Sequence, residues 1–472
     1  MKHIKPIITL LLAVVALSAT AALPADKIPF PGGKCWLYRV YLTDKHGTPY
    51  STLQPEKYLS AKAIERRARQ HLAIDSTDLP LSPVYTKALR RNRFQIVSHS
   101  KWNNTLLIRL TDTLQAARLK SFPFVKAIRQ VFVAPDSVIS KSRLDLEADT
   151  LTPKPSIYGY GRQQIQSLDG ARLHEAGFRG KGMTIAVIDG GFMNADKIEL
   201  MRNINVVGAR NFTYPPTTSV YDELDHGTCV LSTIGANVPN RLVGTAPEAS
   251  FWLLRSEYGP TESEAEEDSW AAAVEYADSV GVDVINSSLG YHDFDGGGTS
   301  HTYRQLDGQT ALISRTASLL ASKGIVLTNS AGNDGANSWK KISCPADARD
   351  ILTVGAMRRD SVNTTFSSIG YSADGRVKPD VMAVGYKTTL IRGNGMIAQA
   401  NGTSFSSPVT CGLVACLWQA LPKLTAKQII ALVRESADRY ECPDNIFGYG
   451  IPDFWKAYQN GLKLQEGQEG SK

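Results

Sequence analysis

The sequence predicts two folded units, and the larger belongs to the α/β class with a doubly wound, mostly parallel sheet. Over residues 158–460, short and wholly apolar runs alternate with helical stretches. Such alternation is typical of parallel strands that helices cover on both faces. Over residues 33–135, the predicted element order is β-α-β-β-α-β with one extra helix. That order is typical of a small α+β unit of the ferredoxin-like plan.

The N-terminus, residues 1–21, has the features of a secretory signal peptide. Lys2 and Lys5 precede an apolar stretch at 7–17 that is too short to span a bilayer, and small residues at 19–21 offer a cleavage site. We therefore expect an exported protein, secreted or periplasmic, without a membrane span.

The first unit, residues 33–135, is predicted from alternating and amphipathic segments bounded by turn residues. Its predicted strands are 35–42, 94–100, 105–110 and 127–133, and its predicted helices are 59–70, 84–92 and 112–120. Any small α+β domain could give this pattern, so the ferredoxin-like order is one interpretation among several. Residues 136–157 are rich in Ser, Asp, Thr, Lys and Pro and are predicted to be a linker.

The second unit, residues 158–460, is predicted from its buried apolar runs. The predicted strands are 183–188, 251–254, 282–286, 325–329 and 351–354, and the predicted helices are 269–280, 310–323, 404–420 and 426–437. The acidic run 262–268 is expected to open a helix, because the helix dipole favours negative charge there. The tail after Gly461 is short and polar, and we expect no further domain in it.

The composition indicates a globular protein that does not bind nucleic acid. Of 472 residues, 43% are hydrophobic and 21% are charged, which suits a large core and excludes a disordered chain. The net charge of +7 comes without a long basic tract. The local clusters at 66–69 and 90–93 are interpreted as solvated helix faces, although a nucleic-acid patch is the alternative.

Six cysteines are spread sparsely along the chain, and the pattern suits neither a disulfide framework nor a zinc site. No Cys-x-x-Cys pair occurs, and Cys411 and Cys416 lie five apart in an apolar helical stretch. Buried free thiols are the favoured interpretation, and disulfides remain the alternative because export permits them.

Three reactive residue types occur at element boundaries in the order Asp, His, Ser. Asp189 ends a buried strand, His226 precedes a predicted helix, and Ser404 precedes a helix with Pro408 in its early turns. A carboxylate can orient an imidazole, which can then take the proton of an attacking serine hydroxyl. Each residue alone is more often a turn former, a structural histidine or a helix cap. The ordered set predicts a catalytic triad.

A fourth segment, residues 330–335, follows a predicted strand and carries Asn333. A side-chain amide at a strand end can donate a hydrogen bond to an oxyanion, and so can the Ser404 amide at its helix start. Taken alone, Gly-Asn-Asp-Gly is an ordinary turn. Together with the triad, it predicts an oxyanion hole.

The segments 226–228, 330–333 and 402–408 closely resemble signatures of the subtilisin-like serine proteases (subtilases, peptidase S8 family). Segments 284–290 and 378–381 match further, and the resemblance covers about residues 158–458. It implies a subtilisin-like fold and a cleft whose substrate-binding residues are Ser288, Leu289, Gly290, Ala331 and Gly332.

The resemblance also implies a serine endopeptidase that is made as a precursor and acts on proteins or peptides. The first unit would be its pro-domain, an intramolecular inhibitor joined by the linker. No cofactor is required and no metal ligand is predicted. Family members often bind calcium, but this sequence lacks an EF-hand-like loop.

Two alternatives remain open at this point. The chain could be a catalytically silent binding protein on the same fold, although all four catalytic groups are present. It could also be a serine esterase, but the Gly-x-Ser-x-Gly elbow is absent at Ser404. Gly190, where the family usually has Ser or Thr, is among the departures from the pattern and puts specificity rather than chemistry in question.

Overall fold

The computed structural model describes residues 27–139, 156–216, 219–295 and 299–469. The predicted signal peptide, residues 1–21, lies outside the described residues, as does most of the predicted linker. Within the described ranges, no helix is both long and apolar enough to cross a bilayer.

The first unit is a small α+β fold. Its elements are β1 (Lys27–Pro29), β2 (Trp36–Leu42), α1 (Ala61–Arg69), α2 (Pro83–Arg91), β3 (Gln95–Ser100), β4 (Thr105–Leu110), α3 (Gln115–Lys120), β5 (Val125–Val133) and β6 (Ser137–Ile139). Strands β5-β2-β4-β3 form a four-stranded antiparallel sheet in that order. Each helical crossover skips one strand, which confirms the predicted ferredoxin-like plan. β1 and β6 pair beside this sheet, so the predicted linker begins with a short strand.

Strand β2, inside the sheet of the first unit, carries apolar or paired residues on both of its faces. Val40 and Leu42 pack into the unit's own core with Leu89 of α2. Leu37 points the other way and packs on Ala265 of the second unit. Successive side chains of a strand point to opposite faces, so Arg39 lies on the same face as Leu37.

The second unit has the predicted α/β architecture. It comprises α4 (Arg162–Gln166), α5 (Gly170–Glu175), β7 (Thr184–Asp189), β8 (Asn205–Asn211), α6 (His226–Gly235), β9 (Asn237–Val238), β10 (Leu242–Val243), β11 (Ser250–Arg255), α7 (Ala265–Val280), β12 (Val284–Ser287), α8 (Leu312–Leu319), β13 (Val326–Ser330), β14 (Leu352–Met357), β15 (Val381–Val384), β16 (Thr388–Ile391), β17 (Ile397–Ala400), α9 (Thr403–Ala420), α10 (Ala426–Ser436) and α11 (Phe454–Glu469). Short 3₁₀ helices lie at Pro55–Lys57, Glu199–Met201, Tyr303–Gln305 and Leu320–Lys323.

Seven parallel strands form the main sheet in the order β15-β14-β13-β12-β7-β11-β8. After β7 the chain forms the edge strand β8, returns to β11 between them, and then proceeds from β12 to the opposite edge. The strand order therefore reverses beside β7, and ligands of such sheets bind at the carboxyl ends of the strands at this point. Helices cover both faces, as the apolar runs predicted.

Several elements escaped the sequence analysis. β8 lies at the sheet edge with mostly exposed residues, so it shows no apolar run. β15 and the β16–β17 hairpin are four-residue strands and are too short for a clear pattern. α11 continues to Glu469, whereas the tail after Gly461 was expected to be a polar extension. The helix is anchored by packing against α10 and α5, which a local pattern does not reveal.

All six cysteines are unpaired, which confirms the free-thiol interpretation. Five are buried, and Cys442 is exposed, which the sequence did not indicate. Burial raises the pKa of the Cys411 thiol to about 12, so this side chain behaves as a small apolar residue.

The two units meet along α7, whose first turn carries the predicted acidic residues. The buried Arg39 guanidinium donates to both carboxylate oxygens of Asp268 at 2.7–3.0 Å and to Glu264 Oε1 at 3.1 Å. Its Nη2 also lies 3.6 Å from Glu267 Oε2. The acidic run thus opens a helix, as predicted, and also binds the first unit.

The interpretation of the basic cluster at 66–69 as a solvated helix face is wrong for Arg66 and Arg67. Arg66 and Arg67 are each only 1% exposed, so they are not on a solvated face. Arg66 Nη2 lies 2.6 Å from Asp278 Oδ1, and Arg67 Nη2 lies 2.9 Å from Asp278 Oδ2. The partner is more than 200 residues away in the sequence, so only docking of the two units reveals it.

Candidate active site

The four predicted catalytic residues lie at one edge of the main sheet. Asp189 is the last residue of β7, and His226 is the first residue of α6. Ser404 lies in the first turn of α9, and Asn333 follows β13. Parallel strands place their carboxyl ends at the same edge, which brings His226, Asn333 and Ser404 into one cleft with Asp189.

The Asp189–His226 pair has the geometry of an oriented imidazole. Asp189 is completely buried, and its Oδ1 lies 2.8 Å from His226 Nδ1. The Gly190 amide donates to the same oxygen at 2.8 Å. This hydrogen bond assigns the Nδ1 proton of the neutral ring and leaves Nε2 as the acceptor.

The electrostatic environment favours protonation of His226. Burial by itself lowers the pKa of the imidazole, but the charge and hydrogen bond of Asp189 and the charges of Glu257 and Asp225 outweigh it. The result is a pKa raised to about 9. An imidazolium that forms during a reaction is therefore well stabilised at this position.

Ser404 is held beside the segment that follows β12. Its Oγ donates to the Ser288 carbonyl oxygen at 3.4 Å, and its own carbonyl oxygen accepts from Ser288 Oγ at 2.8 Å. The hydroxyl thus points at Ser288 in this conformation. Among the described residues, no hydrogen bond joins the Ser404 hydroxyl to the His226 ring in this conformation.

Asn333 is fixed through its amide oxygen. Oδ1 accepts hydrogen bonds from the Thr403 amide at 2.9 Å and from Thr403 Oγ1 at 3.0 Å. These donors assign the side-chain orientation, so the Nδ2 hydrogens are free to donate into the cleft. An amide donor in this place suits an oxyanion that develops at the serine.

Four of the five predicted substrate-binding residues line the cleft, which has a volume of about 320 Å³. They are Ser288, Leu289, Gly290 and Gly332. Ala331 does not line it: this residue is fully buried, and its amide donates to the Val354 carbonyl oxygen of β14. Its methyl group packs into the core beneath the cleft.

Sequence reasoning missed Glu257, a carboxylate that also lines the cleft. It lies two residues after β11, the strand that neighbours β7, and no motif surrounds it. The available signal was that Glu257 follows the carboxyl end of a predicted strand, where functional residues of a parallel sheet lie. Burial and the Asp189 charge raise the pKa of Glu257 to about 7, although a hydrogen bond from Tyr291 and the charges of His226 and Arg255 oppose them.

Within the described residues, no group of three or more His, Cys, Asp and Glu side chains is placed to hold a metal ion. Backbone carbonyl oxygens and waters can also bind calcium, so calcium binding stays a prediction from the family resemblance.

Comparison with protein families gives two matches. The model of the Subtilase family matches residues 180–450. A model described as the peptidase S8 propeptide domain of Bacteroidota matches residues 37–144. The second match covers the small α+β unit and its ferredoxin-like sheet.

Known proteins are similar over the same region. Subtilisin NAT of Bacillus subtilis subsp. natto is 31% identical over 273 residues, which are 57% of this chain and 63% of that protein. Subtilisin of Bacillus pumilus is 30% identical over 303 residues, 64% of this chain and 98% of that protein. Subtilisin-like protease SBT6.1 of Arabidopsis thaliana is 29% identical over 277 residues, 57% of this chain and 24% of that protein.

The chain spans 63% of the length of the Bacillus subtilis relative and nearly all of the Bacillus pumilus subtilisin. The family model covers more than half of the chain and includes all four residues of the candidate site. This protein belongs to the subtilase family and carries a propeptide domain of that family ahead of the subtilase domain.

Proposed function

We propose that this protein is an exported serine endopeptidase, secreted or periplasmic, that is made as a precursor. The observation that carries the proposal is the 2.8 Å contact between buried Asp189 and His226 in a cleft shared with Ser404 and Asn333. Family membership supports the same activity. The signal-like features of residues 1–21 support export.

In the proposed mechanism, Ser404 Oγ turns from the Ser288 carbonyl oxygen toward His226 and attacks the peptide carbonyl carbon. His226 Nε2 takes the hydroxyl proton, and Asp189 stabilises the imidazolium. The oxyanion accepts hydrogen bonds from Asn333 Nδ2 and from the Ser404 amide at the start of α9. Collapse breaks the C–N bond while His226 protonates the leaving amine, and water then hydrolyses the acyl-enzyme by the same steps.

We further propose that residues 33–135 aid folding and inhibit the enzyme until cleavage within 136–157. A sheet with many non-local contacts folds slowly, and a docked small unit can lower that barrier. Val138 of β6 packs with Tyr258, the neighbour of cleft residue Glu257. This packing near a residue that adjoins the cleft in sequence supports an inhibitory first unit.

The test is hydrolysis of casein and of a simple ester by the purified wild type and by Ser404→Ala. Casein hydrolysis that depends on Ser404 supports the endopeptidase. Turnover of the ester alone would favour an esterase, and no turnover of either substrate would favour a silent binding protein.

Asn333→Ala is expected to lower kcat by about 10²–10³-fold with little change in KM, as in the known subtilisin case. The amide acts on charge that develops only in the transition state, so its loss affects turnover rather than substrate binding. Steady-state kinetics on one peptide would measure both constants.

The matched control is Asn337→Ala, in the same loop. Asn337 is exposed, and its Nδ2 donates to Asp334 Oδ1 at 2.9 Å, away from Thr403. This variant is expected to keep its kcat. A large rise in KM with unchanged kcat in Asn333→Ala would contradict the oxyanion role.

The kcat/KM of the wild type is expected to rise with pH, with a midpoint above the ordinary histidine pKa of about 6.5 and at or below about 9. His226 acts as a base only when neutral, and its raised pKa of about 9 keeps it protonated at lower pH. Solvent reaches 39% of the imidazole surface and limits the shift. Glu257→Gln removes one of the charges that raise the pKa of His226. The rise of kcat/KM with pH should therefore occur at lower pH in this variant than in the wild type. A wild-type midpoint at about 6.5, the ordinary histidine value, would contradict this expectation.

A further inference from the structure

One wall of the catalytic cleft carries a carboxylate that the proposed chemistry does not use. Glu257 follows β11 and lines the cleft together with His226, Gly190 and Leu224. Its Oε1 accepts a hydrogen bond from Tyr291 Oη at 2.7 Å, and the tyrosine is 1% exposed. A buried hydroxyl therefore holds the carboxylate in position.

The second carboxylate oxygen of Glu257, Oε2, can accept hydrogen bonds from a ligand. An ionised carboxylate can accept about four hydrogen bonds, and Tyr291 fills one of these positions. Within the described part of the chain, Glu257 forms no ion pair with a Lys, Arg or His side chain. The pKa of Glu257 raised to about 7 by burial and by Asp189 agrees with a carboxylate whose charge is incompletely balanced.

Gly190 leaves the space that Glu257 occupies. A Cβ at Gly190 would lie 3.2 Å from Glu257 Oε2 and 3.1 Å from Leu224 Cδ1, which is tight for both neighbours. Gly190 directly follows Asp189, so Oε2 lies beside the triad and not at a remote end of the cleft.

The charges of the cleft favour a cation. Glu262 and Asp334 line it in addition to Glu257, and among the described residues that line it there is no Lys or Arg. A basic side chain that enters would meet a preorganised carboxylate acceptor in a partly desolvated place, where a charge-assisted hydrogen bond is strong.

We propose that Glu257 binds a Lys or Arg side chain of the substrate at a position flanking the scissile bond, and so makes the enzyme selective for basic peptides. The inference rests on the proposed endopeptidase function. Glu257 is the specificity-determining residue, and Gly190 is the residue that makes room for it.

The experiment compares fluorogenic peptides that differ at one position near the scissile bond, with Lys in one and the similarly long but neutral Met in the other. Each flanking position is scanned in turn with wild type, Glu257→Gln and Glu262→Gln. At one position, wild type is expected to prefer Lys in kcat/KM by about tenfold or more, the size of a hydrogen bond to a charged group. Glu257→Gln keeps the shape and an acceptor for Tyr291 and should bring the ratio to about one.

The ratio of kcat/KM for the Lys peptide to kcat/KM for the Met peptide is taken within each variant. Any change in His226 or in turnover that affects both peptides equally cancels in this ratio. Gly190→Ala is a second variant, and displacement of Oε2 should lower the Lys preference. Peptide cleavage by the wild type without a Lys preference, or an unchanged ratio in Glu257→Gln, would overturn the inference and leave the proposed function intact. Loss of the preference in Glu262→Gln instead would also overturn it. No cleavage of any peptide by the wild type would remove the proposed function and this inference together.

Discussion

Ser404→Ala is expected to lose peptide hydrolysis by about 10⁶-fold in kcat, the loss known for removal of the nucleophile in the relative subtilisin. The variant lacks the oxygen that forms the acyl-enzyme, and water must attack directly. The fold should persist, because Ser404 Oγ makes only a 3.4 Å contact with the Ser288 carbonyl oxygen. Hydrolysis of a fluorogenic peptide would measure the loss after an added protease has removed the first unit from both proteins, since Ser404→Ala is expected to keep it.

The matched control is Ser406→Ala, which removes another buried hydroxyl from the same helix. Ser406 Oγ donates to the Thr403 carbonyl oxygen at 3.0 Å and does not line the cleft. This control is expected to fold and to hydrolyse the peptide. Equal turnover by Ser404→Ala and the wild type would contradict the proposed nucleophile.

The same pair of proteins tests precursor processing by intact mass. Wild type is expected to lose the N-terminal unit through cleavage within 136–157, and Ser404→Ala is expected to keep it. A wild type that stays full length and is fully active would contradict the inhibitory role of the first unit.

Arg39→Ala is expected to weaken the attachment of the first unit by about 3–5 kcal/mol, the cost of breaking a buried ion pair. Arg39 is 1% exposed and contacts the carboxylates of Glu264, Glu267 and Asp268. Its removal leaves these carboxylates buried without their central cation. The free energy of unfolding, measured in the Ser404→Ala background where the precursor stays intact, should fall accordingly.

Arg129→Ala is the matched control, because Arg129 also pairs with Glu264, at 2.9 Å, but keeps 39% of its side chain exposed. Exposed ion pairs contribute about 0–1 kcal/mol, so this variant should differ little from its parent. Equal destabilisation by Arg39→Ala and Arg129→Ala would show that burial of the pair does not determine its contribution.

Much of the candidate site could be predicted because its signals are local. Asp189, His226, Ser404 and Asn333 each occur at an element boundary within a short segment of unusual composition. The central strands can also be recognised by their apolar runs, since strands buried on both faces have no polar side. These patterns were sufficient for the fold class, for the order of the central strands and for the chemistry proposed at the cleft.

Other features depend on residues that are far apart in the sequence. Glu257 has no motif, and its relation to His226 arises because β11 and β7 are neighbours in the sheet. Ala331 follows the same strand as Gly332 and Asn333, yet the ladder with β14 takes it into the core. The edge strand β8 lacks an apolar run because its side chains are mostly exposed to solvent.

The sequence by itself determined the α/β class, the small α+β first unit and the residues proposed for the triad and oxyanion hole. Hydrophobic periodicity and short motifs are properties of neighbouring residues, so the sequence alone is enough to recognise them. Only the tertiary structure decided that Arg66 and Arg67 are buried against Asp278 and that Glu257 faces the cleft. The physical reason is that burial of a charge depends on a partner supplied by the folded chain, and that partner can come from any distance along the sequence.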